Sequence, residues 1–277
     1  MTIRQNKTGV VVMWILLTFM ALVTLLPLSL MVLNSFKTRM EIVRNPLALP
    51  KIFSGINYKN AWIQGQVSQA AINSILLVAG TLLITIISSC MAAYALARKK
   101  LRFSNGISVY FLVCNTIPKQ LFIIPLFFIL QKMGLIDNLI PMMFVYSAIY
   151  SPFAIFLLYS YFMGISKDII NSAVIDGATS WQIFWKIVLP LVRPGILTVA
   201  LIVGLWCWNE FLFAVTFLQT DKVITLAVKF YGFTSRYVTE WGSMMAFAVM
   251  VSVPIILFFI FLQNRFIDGM TAGGVKG

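Results

Sequence analysis

The 277 residues are 60% hydrophobic, 14% aromatic and only 10% charged, with a mean hydropathy of +0.93. That balance excludes an ordinary water-soluble domain and points to a helical membrane protein. The net charge of +13 reads as loops facing anionic headgroups, not a nucleic-acid surface, and the absence of histidine argues against a zinc or triad enzyme.

Arg4 and Lys7 precede a first apolar block, Gly9 to Leu33. It is longer than the core of a signal peptide and lacks a small-x-small cleavage site, so it reads as an uncleaved spanning helix. Further blocks run from Ala70 to Ala97, Ile107 to Leu130, Ile140 to Phe162, Gly195 to Phe217 and Ser243 to Gln263. Each is near or above the roughly 20 residues that cross a hydrocarbon core. The expectation is an all-α membrane protein of six spans. Residues 1–277 form one transmembrane domain: a first helix plus external loop (1–69), a five-helix core (70–264) and a tail (265–277). Cys90, Cys114 and Cys207 fall inside the blocks and read as small buried residues.

Six spans place both termini on one side. With the termini cytoplasmic, the inner segments carry Arg4, Lys7, Arg98, Lys99, Lys100, Arg102, Lys167, Lys186, Arg193, Arg265 and Lys276. The outer ones carry Lys37, Arg39, Arg44, Lys51, Lys59, Lys132, Lys222, Lys229 and Arg236. The margin is small, and the basic cluster at Arg98–Arg102, in a short loop where the positive-inside rule applies best, selects this orientation. The segment 34–69, with Pro46, Pro50, Gly55 and Gly65, is then an external loop without a core of its own. The segment 218–241 is also external, folding back as a small hairpin or helix.

The cytoplasmic stretch 163–193 is the most informative. Ser166 is placed to cap a short helix, with Asp168 in its first turn and Ile169, Ile170, Ala173 and Val174 at helical spacing. Asp176-Gly177 stops it. Thr179 and Gln182 match a capping box, with Ala178 and Ile183 as a staple, and a second short helix runs to Pro190, Pro194 falling in the first turn of the next span. A helix-turn-helix between two spans suits transmission of force. The same pattern also suits an amphipathic loop on the headgroups anchored by Trp181, Phe184 and Trp185.

Two ionisable residues lie inside apolar blocks, where a charge needs a partner or a wet cavity. Lys119 follows Pro118 and precedes Pro125, so its helix is expected to kink. Glu210 sits in Trp206-Cys-Trp208-Asn209-Glu210, about 22 Å along the fifth span. Asn209, Glu210, Trp206, Trp208, Asn115 and Lys119 form a candidate translocation pathway, with Gln120, Tyr146 and Tyr150 as weaker members. The alternative is a structural network, including a Lys119–Glu210 pair or a pairing with another subunit.

Ala173-Val-Ile-Asp-Gly-Ala178 followed by Ile183-Phe-Trp-Lys-Ile-Val-Leu-Pro-Leu-Val-Arg-Pro194 resembles the EAA loop of ABC importer permeases of the MalG-like carbohydrate family. Ser35-Phe-Lys37, Asn57-Tyr58, Ala61-Trp62, Asn73-Ser74, Trp208 to Ala214 and the tail from Thr271 to Gly277 extend the resemblance across nearly the whole chain. The resemblance implies a type I importer fold in a bacterial or archaeal plasma membrane and a non-catalytic subunit. It also implies a MalF-like second permease, an ATPase dimer carrying ATP and magnesium, an external solute-binding protein and a sugar cargo. The loop residues Asn171, Ser172, Ala173, Asp176, Gly177, Ala178 and Pro190 would dock into the ATPase. This sequence departs from the motif at its glutamate and first alanine, which are Asn171 and Ser172.

No phosphate-binding GxxxxGK[ST] loop is present, so hydrolysis must come from elsewhere. The resulting expectation is alternating access by an ATP-driven sugar permease that binds no cofactor itself. A permease for another polar solute such as a glycerol phosphodiester is the alternative. An autonomous channel or secondary transporter lacks a visible filter or repeat, and an intramembrane enzyme would have only Lys119 and Glu210 to work with.

Overall fold

The computed structural model describes residues 7–98, 104–236 and 240–274, and all regular structure among them is helical. Arg4, Lys99, Lys100, Arg102 and Lys276, which weigh in the choice of orientation, lie outside the described residues. Among the described residues, four helices are long and apolar enough to cross a bilayer unbroken: α1 (Lys7–Asn34), α4 (Val67–Ala97), α7 (Leu139–Met163) and α14 (Trp241–Gly274). The last stays helical to Gly274, past the point where a separate tail was expected.

The two remaining predicted spans are broken. The third consists of α5 (Ser104–Cys114), a 3-10 turn (Lys119–Phe122) and α6 (Ile123–Lys132). Pro118 has no N–H to donate and pushes Ile117 away from helical geometry, so the expected kink becomes an interruption. The fifth consists of α11 (Arg193–Trp208) and α12 (Leu212–Phe217), parted at 209–211, where neither proline nor glycine occurs. Of the six expected spans, four are unbroken helices among the described residues and two are interrupted.

The chain divides into two compact units, residues 1–67 with 229–253 and residues 68–228 with 254–277. In the first, α2 (Arg39–Arg44) begins with a capping box between Thr38 and Glu41. The Thr38 backbone N–H first, then the Thr38 hydroxyl and the Lys51 N–H, hold the Glu41 carboxyl below its usual pKa. The loop leading to α3 (Ile56–Gln64) is tied back to the end of α1. Asn57 donates its amide to the Ser35 and Lys37 carbonyls, both at 2.8 Å, and the Ser35 hydroxyl meets the Tyr58 hydroxyl at 2.7 Å. Lys37, expected as a loop cation, is 1% exposed, and its ammonium donates to the Pro46 carbonyl at 2.9 Å and the Asn45 carbonyl at 3.4 Å. The Ser35-Phe-Lys37 and Asn57-Tyr58 motifs, 20 residues apart or more, are thus halves of one hydrogen-bonded knot.

The second unit holds the core bundle of α4, α7 and α11. Lipid tails are as apolar as leucine, so burial alone does not favour the bundle over the bilayer. Close backbone approach and interhelical hydrogen bonds must do so. The Ser147 hydroxyl donates to the Thr81 carbonyl at 3.1 Å. A Cβ on Gly195 would sit 2.7 Å from the Tyr161 ring, so only glycine lets α11 and α7 pack this closely here. At one end, Asn73 donates to the Lys222 and Ile224 carbonyls, each at 3.0 Å, and the Ser74 hydroxyl accepts the Leu226 N–H at 2.8 Å. These bonds set the start of α13 (Leu226–Arg236), the helix expected within 218–241. Asn73→Ala leaves two carbonyls without their donor and is expected to cost about 1–3 kcal/mol. Thermal unfolding in detergent reads this directly, and an unchanged transition would show that the 222–226 segment does not depend on Asn73.

Candidate functional site

Between α7 and α11 lies the loop singled out by the sequence. Here α8 (Lys167–Ile175) is capped by Ser166, whose hydroxyl accepts the Asp168 N–H. The helix ends at Asp176-Gly177 as expected, and the geometry explains the motif. Gly177 has φ +79, its N–H donates to the Val174 carbonyl at 3.1 Å, and the Ala178 N–H reaches the Ala173 carbonyl at 2.9 Å. This is a Schellman arrangement, in which Ala173, Gly177 and Ala178 occupy the three defining positions. Thr179 and Gln182 then form the expected capping box at the start of α9 (Ser180–Gln182).

Beyond Gln182 the structure departs from the expected short helix ending at Pro190. The chain continues through a π-helical turn (Ile183–Val188) into α10 (Leu189–Leu191), which contains that proline. The wider turn accommodates the missing Pro190 N–H, since π geometry does not require it to reach the Lys186 carbonyl. At Val192 the loop helix meets α11 at 70°. Phe184, expected as a surface anchor, is instead buried against the Tyr94 ring at 5.2 Å, together with Ile183 and Val188. Trp181 and Trp185 do stay exposed.

Of the four apolar residues at helical spacing on α8, two are buried and two are not. Ile170 and Ala173 are buried, whereas Ile169 and Val174 are exposed and Ile175 is 85% exposed. The outward tip of the loop is therefore Val174 and Ile175 beside Asn171, Ser172 and Asp176, all exposed. An apolar tip is thus held by a buried base, with an elbow into α11.

The second element is a cavity of about 690 Å³ where the two broken helices come together, lined by Asn115, Lys119, Gln120, Tyr150, Trp206, Asn209 and Glu210 among others. The two breaks use one device. Asn115 donates its side-chain amide to the Phe111 carbonyl at 2.9 Å, and Asn209 donates to the Leu205 carbonyl at 2.8 Å, each four residues back. Each amide thus closes a helix end beside the cavity, which is how interrupted helices are tolerated inside a bilayer.

Glu210 is only 7% exposed, and one of its carboxylate oxygens accepts from the Tyr146 hydroxyl at 2.8 Å and the Phe213 and Ala214 N–H groups at 3.0 and 3.1 Å. It caps α12 and fastens it to α7. Lys119 does not pair with it. The ammonium lies 3.4 Å from the Tyr150 hydroxyl and 5.3 Å from that ring's centroid, and it has no ion pair among the described residues. Trp206 lies against Phe153 and Tyr150, with ring centroids at 4.7 and 5.8 Å. Trp208 does not reach the cavity; it lines an apolar groove with Leu82, Gly204, Pro254 and Phe258. Five of the six pathway residues read from sequence therefore converge, and Tyr146 and Tyr150 matter more than their weak sequence signal indicates.

A membrane bundle with paired broken helices around a polar cavity, and a lever loop built into the same bundle, defines the membrane subunit of a transporter. Residues 84–271 match the Binding-protein-dependent transport system inner membrane component family, and the chain belongs to it. The probable ABC transporter permease protein YurM of Bacillus subtilis is 32% identical over 99% of this chain and 91% of its own length. The diacetylchitobiose uptake system permease protein NgcG of Streptomyces coelicolor is 33% identical over 93% and 86%. A solved bacterial ABC transporter involved in the import of the acidic polysaccharide alginate shares the fold, with a TM-score of 0.81 at 22% identity over 96% of this chain and 99% of that one.

Proposed function

We propose that this chain is one of two permease subunits of an ATP-driven importer, moving a sugar or oligosaccharide into the cytoplasm by alternating access. The observation that carries the reading is the joining of two parts within one unit: the polar cavity at the two helix breaks and the Schellman-capped lever entering α11 at 70°. Relatives named for arabinooligosaccharide and for melibiose, raffinose and stachyose import, at 30% and 32% identity, support a carbohydrate cargo. In this reading the termini and the loop face the cytoplasm. Asn171, Ser172, Ala173, Asp176, Gly177 and Ala178 form the ATPase-docking end, with Pro190 in the arm behind them. The ATPase dimer binds ATP and magnesium. A solute-binding protein delivers the cargo from outside, and a second permease supplies the other wall of the cavity. Asn115, Asn209 and Lys119 offer hydrogen bonds to hydroxyl groups, and Trp206 offers a flat apolar face.

Reconstitution of the chain with its second permease, ATPase and binding protein tests this. Hydrolysis stimulated by sugar-loaded binding protein, and lost when this chain is omitted, is the expected result. Uptake by the chain alone in vesicles would sink the proposal.

A further inference from the structure

A second cavity, of about 350 Å³, lies where α4 and α7 end beside α8. Its charged and amide groups are Arg98, Lys167 and Asn171, and its apolar walls include Ala97, Phe162 and Ile170. The Arg98 guanidinium lies over the Tyr94 ring at 5.4 Å, which fixes the planar fork that suits a phosphate. Neither Arg98 nor Lys167 has an ion pair among the described residues. Asp168, the nearest acid in sequence, is turned to its own helix start, where its carboxylate accepts from the Ser166 hydroxyl at 3.3 Å. Two uncompensated cations and an amide converge at the ends of two spanning helices, the depth at which lipid headgroups lie.

We infer that this cavity binds the phosphate of an anionic phospholipid, with Arg98 and Lys167 on the phosphate and the apolar wall against the start of the acyl chains. A free phosphate would offer the same charge but leave the apolar walls unused, which favours the lipid. Since α8 forms one side of the cavity, a bound headgroup ties the docking helix to the ends of α4 and α7. The inference needs only the membrane setting and is independent of the cargo.

The test uses the purified full chain in nanodiscs of phosphatidylglycerol and of phosphatidylcholine, with native mass spectrometry of the lipid retained on transfer to detergent. The wild-type chain is expected to retain phosphatidylglycerol in preference by on the order of tenfold, two cations acting at a membrane surface. Arg98→Gln with Lys167→Gln should lose that preference while unfolding at the wild-type temperature in phosphatidylcholine. Arg98→Lys, which keeps the charge and loses the fork, should keep part of it. Unchanged preference in the double variant overturns the proposal. So does displacement of the lipid by millimolar inorganic phosphate, which would assign the cavity to the free anion. Unchanged retention together with weakened capture of the ATPase subunit would assign the cations to a protein carboxylate and overturn it too.

Discussion

Gly177→Val is expected to leave the subunit folded in the membrane and to cut solute-stimulated ATP hydrolysis by the assembled transporter on the order of tenfold or more. A Cβ at this position meets nothing within 4 Å, so the effect is not a clash. It arises because φ is +79, where a β-branched residue is strained and a glycine is not. Relieving the strain unwinds the two Schellman hydrogen bonds and swings the Val174-Ile175 tip away from its direction. Asparagine tolerates the left-handed region, so Gly177→Asn should retain most of the activity. The pair separates backbone geometry from space at the docking surface. Equal loss in both variants would mean that the ATPase packs directly on Gly177, and wild-type hydrolysis in the valine variant would remove the lever assignment. Binding of solute to the external protein serves as the unaffected control.

The second large effect is expected at Glu210. Glu210→Ala strips the acceptor from one buried hydroxyl and two buried N–H groups, an expected loss of about 3–5 kcal/mol and poor recovery of folded protein. Glu210→Gln keeps a carbonyl for the N–H groups and should lose about 1–2 kcal/mol, as should Tyr146→Phe. Thermal unfolding in detergent ranks the three. If Glu210 instead acted on the passing solute, the glutamine variant would unfold like the wild type and fail in transport. That result would overturn the capping role.

How much of this is legible in the sequence depends on how far each interaction reaches along the chain. The loop 163–193 is largely legible because its determinants are local. Ser166, Gly177, Thr179 and Gln182 act on groups two or three residues away. The break at Pro118 is half visible, since proline announces a disturbance but not its extent. The break at 209–211 is invisible. It has no proline or glycine, and its stabilising contact is Tyr146, 64 residues earlier. For the same reason Lys37 reads as a loop cation, because the carbonyls that take its ammonium are set by a loop closure that periodicity does not report. Phe184 is buried where the headgroup reading placed an anchor, because the ring it meets, Tyr94, lies on α4, far back in the chain.

The two interruptions look alike in their asparagine ends, yet they are fastened differently. At 209–211 a single carboxylate oxygen binds both the following helix and α7, so that joint is welded. At 115–118 the side-chain hydrogen bond to α7 is one long contact from Lys119 to Tyr150, and the joint relies on the packing of α5 along α7. Loss of the Glu210 carboxylate would therefore loosen the 209–211 joint more than loss of the Lys119 ammonium would loosen the 115–118 one.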